Sequence, residues 1–271
     1  MISMSVSAAA VGGYLAIGSV SGFFAGLLGI GGGIILVPAL LVAFGLAGFP
    51  PSVIFQVALG TSMATILFTA LSSLRSHHRH GAVMWSVVRN FTPGVLVGTA
   101  VGTLVARHVS TTGLTAFFSL FLIVVAIQLG LELRPKPGRV LPGRIGQGLA
   151  GAAIGIVSAL AAVGGGAMTV PFLTWCNCPI KKAIGTAAAV GFPIALGGTL
   201  GYIANGWAVQ ALPPGSLGFV YLPALLWTVL AGILTAPLGA RAAHLLPAVV
   251  LRRVFAVLLL FVAWRMLASL F

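Results

Sequence analysis

Gly22 to Leu40 reads GFFAGLLGIGGGIILVPAL, and Gly155 to Leu173 reads GIVSALAAVGGGAMTVPFL. Aligned without a gap, Gly31-Gly32-Gly33 falls on Gly164-Gly165-Gly166, and Pro38 on Pro171. Each copy lies inside an apolar stretch that it interrupts. Three adjacent glycines with a proline close behind break a helix, and in lipid a broken backbone is tolerated only where it is buried in protein or lines a watery cavity. Paired interruptions at matching places in two halves of a chain mark the binding site of a transporter built from repeats. Pro38 and Pro171 are expected to end or kink the half-helix that follows each break.

Around these stretches the chain is 59% hydrophobic and 6% charged, with a mean hydropathy of +1.17, which places it among integral membrane proteins. The net charge of +13 comes from 14 basic residues scattered over short loops. That is the pattern of orientation signals, and a nucleic-acid role is set aside. With no Lys or Arg before Arg75 there is no basic n-region, so the first apolar stretch is read as part of the fold. Glu132 is the one acidic residue. Cation-coupled pumps place carboxylates at membrane depth, and hydrolases need a carboxylate pair or a Ser/His/Asp set. The chain has the parts of neither, so no enzyme activity and no cofactor are expected. Cys176 and Cys178 are too close in sequence for an unstrained disulfide and are read as reduced thiols.

Apolar runs long enough to cross a ~30 Å core, about 20 residues each, lie at roughly 53–75, 83–106, 112–131, 182–204, 218–241 and 250–269. The repeated stretches, 8–47 and 147–179, differ from these. The first would reach about 60 Å as one straight helix, twice the thickness of the core. Charge arbitrates between crossing and turning back. If each broken stretch returns to the side it came from, Arg75, Arg79, Arg89, the four basic residues of 134–144, Lys181, Lys182, Arg241, Arg252 and Arg253 share one side. Only Arg107 and Arg265 then lie opposite. The positive-inside rule favours this arrangement over a conventional eight-span protein. Each half then holds one re-entrant hairpin and three crossings, an odd number, so two similar halves insert in opposite senses. The expected fold is an all-α integral membrane protein of two homologous halves related as an inverted repeat. Residues 1–131 form the first repeat, 132–146 a cytoplasmic linker and 147–271 the second.

The repeat extends to Ala58-Leu59-Gly60-Thr61-Ser62, which matches Ala183-Ile184-Gly185-Thr186-Ala187. The duplicated glycine motif, the following Val-Pro and the Gly-Thr-[Ala/Ser] element together resemble the TauE/SafE family of membrane permeases, the sulfite exporter family. The resemblance covers nearly the whole chain. It implies transport of small sulfur-containing anions or organic acids, such as sulfite, sulfoacetate and thiosulfate. The second copy departs from the motif where Ala159, Ala162 and Ala187 stand in place of Gly26, Gly29 and Ser62.

The residues themselves suggest how an anion is held. A helix that starts at membrane depth presents unpaired N–H groups and about half a positive charge, and glycine lets the backbone approach the ligand. The candidate substrate-binding residues are therefore Gly31, Gly32, Gly33, Gly164, Gly165 and Gly166 at the two breaks. Thr61, Ser62 and Thr186 follow as hydroxyl donors, with Gln56 and Thr169 as weaker candidates. Packing of close helices is the competing role for the Thr and Ser residues. A soft-metal site at Cys176, Cys178 and the cluster His77, His78 and His80 would be short of ligands. The reading is a multi-pass transporter of a bacterial inner membrane that exports small sulfur anions by alternating access. An anion channel and a carrier of other organic anions are the alternatives. Its expected partners are a small anion and lipid; oligomeric state is not legible.

Overall fold

The computed structural model describes residues 7–28, 32–131, 138–245 and 248–270. Ten helices make up nearly all of it: α1 (Ala8–Leu28), α2 (Gly33–Leu46), α3 (Ile54–Arg79), α4 (Trp85–His108), α5 (Thr111–Gly130), α6 (Arg144–Ala161), α7 (Gly166–Trp175), α8 (Ile180–Gly206), α9 (Leu222–Leu245) and α10 (Ala248–Ala268). Six of them, α1, α3, α5, α6, α8 and α9, are long and apolar enough to cross a membrane. The fold is an all-α, multi-pass membrane protein.

Both repeated stretches break where the glycines stand. The half-helices start at Gly33 and Gly166. Neither proline ends its half-helix: α2 runs on through Pro38 and α7 through Pro171. Each chain then turns back on itself. In the first hairpin Gly32 sits against Ser21, while the Phe44 ring near the end of α2 reaches Tyr14 near the start of α1, 6.3 Å between centroids. In the second, Trp175 at the end of α7 returns to the segment that leads into α6, where Arg139 lies 4.5 Å over its ring and the Arg139 N–H donates to the Trp175 carbonyl at 3.3 Å.

The two halves are interlocked through these hairpins. The helix α1 lies along α9 of the other half, and its counterpart α6 lies along α4. The close approaches match one for one. Gly18 meets the Thr228 backbone as Gly151 meets that of Phe91. Gly22 meets Gly232 as Gly155 meets Val95, and Gly239 meets the Phe23 carbonyl as Gly102 meets that of Ile156. In each pair a Cβ on the glycine would collide with facing backbone, so small residues set the interaxial distance. Counterparts α3 and α8 also pack together and run antiparallel, Gly60 lying beside Tyr202 and Met63 beside Gly198. The remaining pair, α5 and α10, meets at Gly130 and Ala256.

One element was not foreseen. The uncharged stretch after α8 carries a two-stranded ladder, β1 (Ser216–Leu217) antiparallel to β2 (Val220–Tyr221). Gly218 makes its turn with φ of +55, a conformation glycine adopts without Cβ strain.

Candidate functional site

The two hairpin tips meet inside the protein. Gly33, the first residue of α2, lies directly against the carbonyl oxygen of Ala162, which caps α6. Ile66 of α3 sits between the tips, its Cδ1 towards Gly33 and its Cγ2 towards Gly164. Ala162 takes a left-handed conformation, φ 43, where the first copy of the motif carries Gly29.

At each tip a helix starts without a side-chain cap. The N-cap residues are Gly32 and Gly165, and neither α2 nor α7 has a side-chain hydrogen bond to its first turn. The same holds for α3, α4, α6 and α8, whereas α5 is capped by Ser110, whose hydroxyl accepts from the Gly113 N–H at 3.2 Å. The first N–H groups of a helix have no intrahelical acceptor. Left uncapped at a helix start, they present the positive end of the dipole to whatever lies in front of them.

Beside the first tip lies a small, partly open cleft. Ser21, Gly22 and Ala25 of α1, Gly32 and Leu36, Thr65, Ile66 and Thr69 of α3, and Gly232 of α9 line it. Its three hydroxyls each bond a carbonyl of their own helix, and Thr65 Oγ1 also lies 3.2 Å from Thr228 Oγ1 of α9. Ser21 Oγ donates to the Gly18 carbonyl at 3.2 Å, Thr65 Oγ1 to that of Thr61 at 2.9 Å and Thr69 Oγ1 to that of Ile66 at 3.1 Å. The hydroxyls are thus held by protein groups, and the surface the cleft presents is apolar.

Of the sequence-read candidates, Gly31 lies outside the described residues. Gly32 lines the cleft; Gly33, Gly164, Gly165 and Gly166 form the facing parts of the two tips. The second tip is pressed onto α8, where a Cβ on Gly165 would stand 2.6 Å from the Ala187 carbonyl. Thr61 and Thr186 have matched tasks: the Thr61 hydroxyl accepts from the Tyr221 N–H just ahead of α9, and the Thr186 hydroxyl accepts from the Met84 N–H just ahead of α4, both at 3.0 Å. Gln56 sits at the far end of α4, its Nε2 donating to the carbonyls of Ala106 and Val109, each at 3.3 Å. Ser62 and Thr169 are fully buried, and their hydroxyls have no partner. Sequence reading missed Ser21, Thr65 and Thr69. The signal was available for the last two, since Thr61, Thr65 and Thr69 recur every four residues and so share one face of α3.

Among the described residues no Lys or Arg lines the cleft, and Lys182 Nζ, which donates to the Gly81 carbonyl at 2.7 Å, is on the exposed surface. Cys176 and Cys178 are free thiols in the turn after α7, and burial pushes both above the usual thiol range.

Residues 14–266 match the family described as Sulfite exporter TauE/SafE. A protein of Haemophilus influenzae named "Probable membrane transporter protein" is 35% identical over 257 residues, covering 93% of this chain and 96% of the relative. A second protein so named, from Bacillus subtilis, is 27% identical over 224 residues, covering 74% and 82%. A third, from Methanocaldococcus jannaschii, is 25% identical over 233 residues, covering 83% of each chain. No solved structure matches. The chain is a membrane transporter and belongs to the sulfite exporter TauE/SafE family.

Proposed function

We propose that this transporter carries small sulfur oxyanions, sulfite or sulfonates, outward across a bacterial inner membrane, binding them between the two hairpin tips. The observation that carries the reading is the meeting of Gly33 with Ala162. It brings two uncapped helix starts, α2 and α7, to one place among apolar residues, beside a cleft with three hydroxyls. In a low-dielectric surround such a field is screened less than at a surface, so backbone dipoles hold an anion without a basic side chain.

The mechanism is alternating access, one half rocking against the other about the shared site. An inverted repeat supplies the symmetry for it. Its support is the one-for-one match of α1 on α9 with α6 on α4, together with the antiparallel course of the counterparts α3 and α8. Two equivalent helices that run in opposite directions are related by an axis across them, which for membrane-crossing helices is an axis in the membrane plane. The tips differ in keeping with one state of such a cycle. The second is pressed on α8, while the first leans on α1 at Ser21 and leaves the cleft open beside α3.

An inside-negative potential favours anion exit by about 2.3 kcal/mol per charge per 100 mV. Export therefore needs no coupling carboxylate. The test is counterflow in proteoliposomes holding the purified protein, screened with sulfite, thiosulfate, sulfoacetate, sulfate and simple carboxylates. Saturable exchange of the sulfur anions supports the reading. Saturable exchange of carboxylates alone moves the substrate class, and non-saturating conductance makes the protein a channel.

A further inference from the structure

We propose that the second hairpin adds hydroxyl donors to the transported anion, from Ser158 on α6 and Thr169 on α7. The inference rests on the transport reading above and deepens it.

The register of the repeat sets the positions. With Gly22 on Gly155 and Gly32 on Gly165, Ser158 falls on Ala25 and Thr169 on Leu36. Ala25 and Leu36 both line the cleft beside the first tip. The positions that face open space in one half therefore carry hydroxyls in the other, on either side of the Gly164–Gly166 tip. Ser158 and Thr169 are 2% and 0% exposed, and neither hydroxyl has a hydrogen-bond partner. Thr174, five residues further along α7, shows the usual alternative, donating to the carbonyls of Val170 and Pro171. A buried polar atom left without a partner requires an explanation. Two that flank one uncapped helix start are explained by a ligand that accepts hydrogen bonds.

At the second tip α8 comes close because it carries no side chain where α3 carries Ile66. Ile66, which fills the gap at the first tip, has Gly191 as its counterpart on α8. Within 4 Å of a Cβ built on Gly191 lies only the Gly165 backbone, its nitrogen at 3.3 Å. Ser158 and Thr169 thus stand on the two helices of the hairpin, before and after the N–H groups at the start of α7. Such a set suits an oxyanion whose several oxygens each accept one bond.

The experiment is sulfite counterflow in proteoliposomes with Ser158→Ala, Thr169→Val, Thr169→Ser and Ser119→Ala, with thermal unfolding of each purified protein in detergent. Ser119 of α5 is a buried hydroxyl that also lacks a partner, away from both tips, and serves as the control. Ser158→Ala and Thr169→Val are expected to raise KM for sulfite at least tenfold without lowering Tm, because the lost hydroxyls make no bond in the empty protein. Thr169→Ser should stay within twofold of the unchanged protein, as should Ser119→Ala. A KM within twofold of the parent in both hydroxyl-less variants would overturn the inference and leave the transport reading standing, and so would a Tm lowered by several degrees. If the parent protein exchanges neither sulfite nor thiosulfate nor sulfoacetate, the transport reading fails first and the inference with it.

Discussion

Gly33 and Ala162, 129 positions apart in sequence, are in direct backbone contact: the α-carbon of one lies on the carbonyl oxygen of the other. There is no space for a methyl group between them. Gly33→Ala must push the tips apart, and overpacking of this kind costs about 1–3 kcal/mol. Transport is expected to fall at least tenfold with a lowered Tm, measured by counterflow and thermal unfolding. Gly12→Ala, where nothing stands within 4 Å of the new Cβ, should leave both unchanged.

Ala162 occupies a left-handed conformation that costs a non-glycine residue about 1–2 kcal/mol. Ala162→Gly relieves this strain and restores the residue that the first copy of the motif carries at its own position, Gly29. Thermal stability should rise, by up to about 1 kcal/mol after the greater entropy of the unfolded glycine is subtracted. An unchanged or lower Tm would show that the Ala162 methyl contributes packing greater than the strain.

Thr61 and Thr186 accept part-buried N–H groups from the segments ahead of α9 and α4. Valine keeps the shape and removes the acceptor, leaving an N–H unsatisfied at about 1–3 kcal/mol. Thr61→Val and Thr186→Val should therefore destabilise the protein by similar amounts, and serine at either place should restore most of the loss. Stability unchanged by valine, with transport lost, would mean that the hydroxyls serve the substrate alone.

Topology is open to labelling. On a background with Cys176 and Cys178 replaced by serine, Ile180→Cys is expected to react with an impermeant maleimide only from the cytoplasmic side. Gln210→Cys should react only from outside. Both positions are exposed, so access by reagent is not limited by packing. Labelling of both from the same side would remove the inverted arrangement.

Burial raises the Cys176 and Cys178 thiols, with the neighbouring Cys178 adding to the effect at Cys176 and Arg139 opposing it. The thiolate is the reactive form. At pH 7 both should alkylate several-fold more slowly than a free thiol, with the rate climbing as pH rises. Replacing both with serine should leave anion transport within twofold of the parent; loss of transport would revive a thiol-based site.

Much of this architecture can be read locally. The position of each break follows from Gly31–Gly33 and Gly164–Gly166, because adjacent glycines remove the side chains that hold a membrane helix together. The return of each hairpin follows from where Lys181, Lys182, Arg252 and Arg253 must lie. Hydropathy reports whether a segment belongs in lipid, and charge reports which side its ends prefer; both are properties of the segment itself.

Partnership between segments is a different matter. Between helices of equal apolarity no water is excluded, so shape decides which pair forms. That α1 rests on α9 and α6 on α4 depends on the fit of Gly18, Gly22, Gly151 and Gly155 to particular stretches of backbone, which no single helix encodes. For the same reason Thr61 and Thr186, conspicuous as repeated hydroxyls, become acceptors for segments distant in sequence. Ser21, Thr65 and Thr69 reach the cleft only because three helices and a hairpin tip converge there. Local chemistry chose where the backbone breaks, and the close packing of the folded chain chose what the broken ends face.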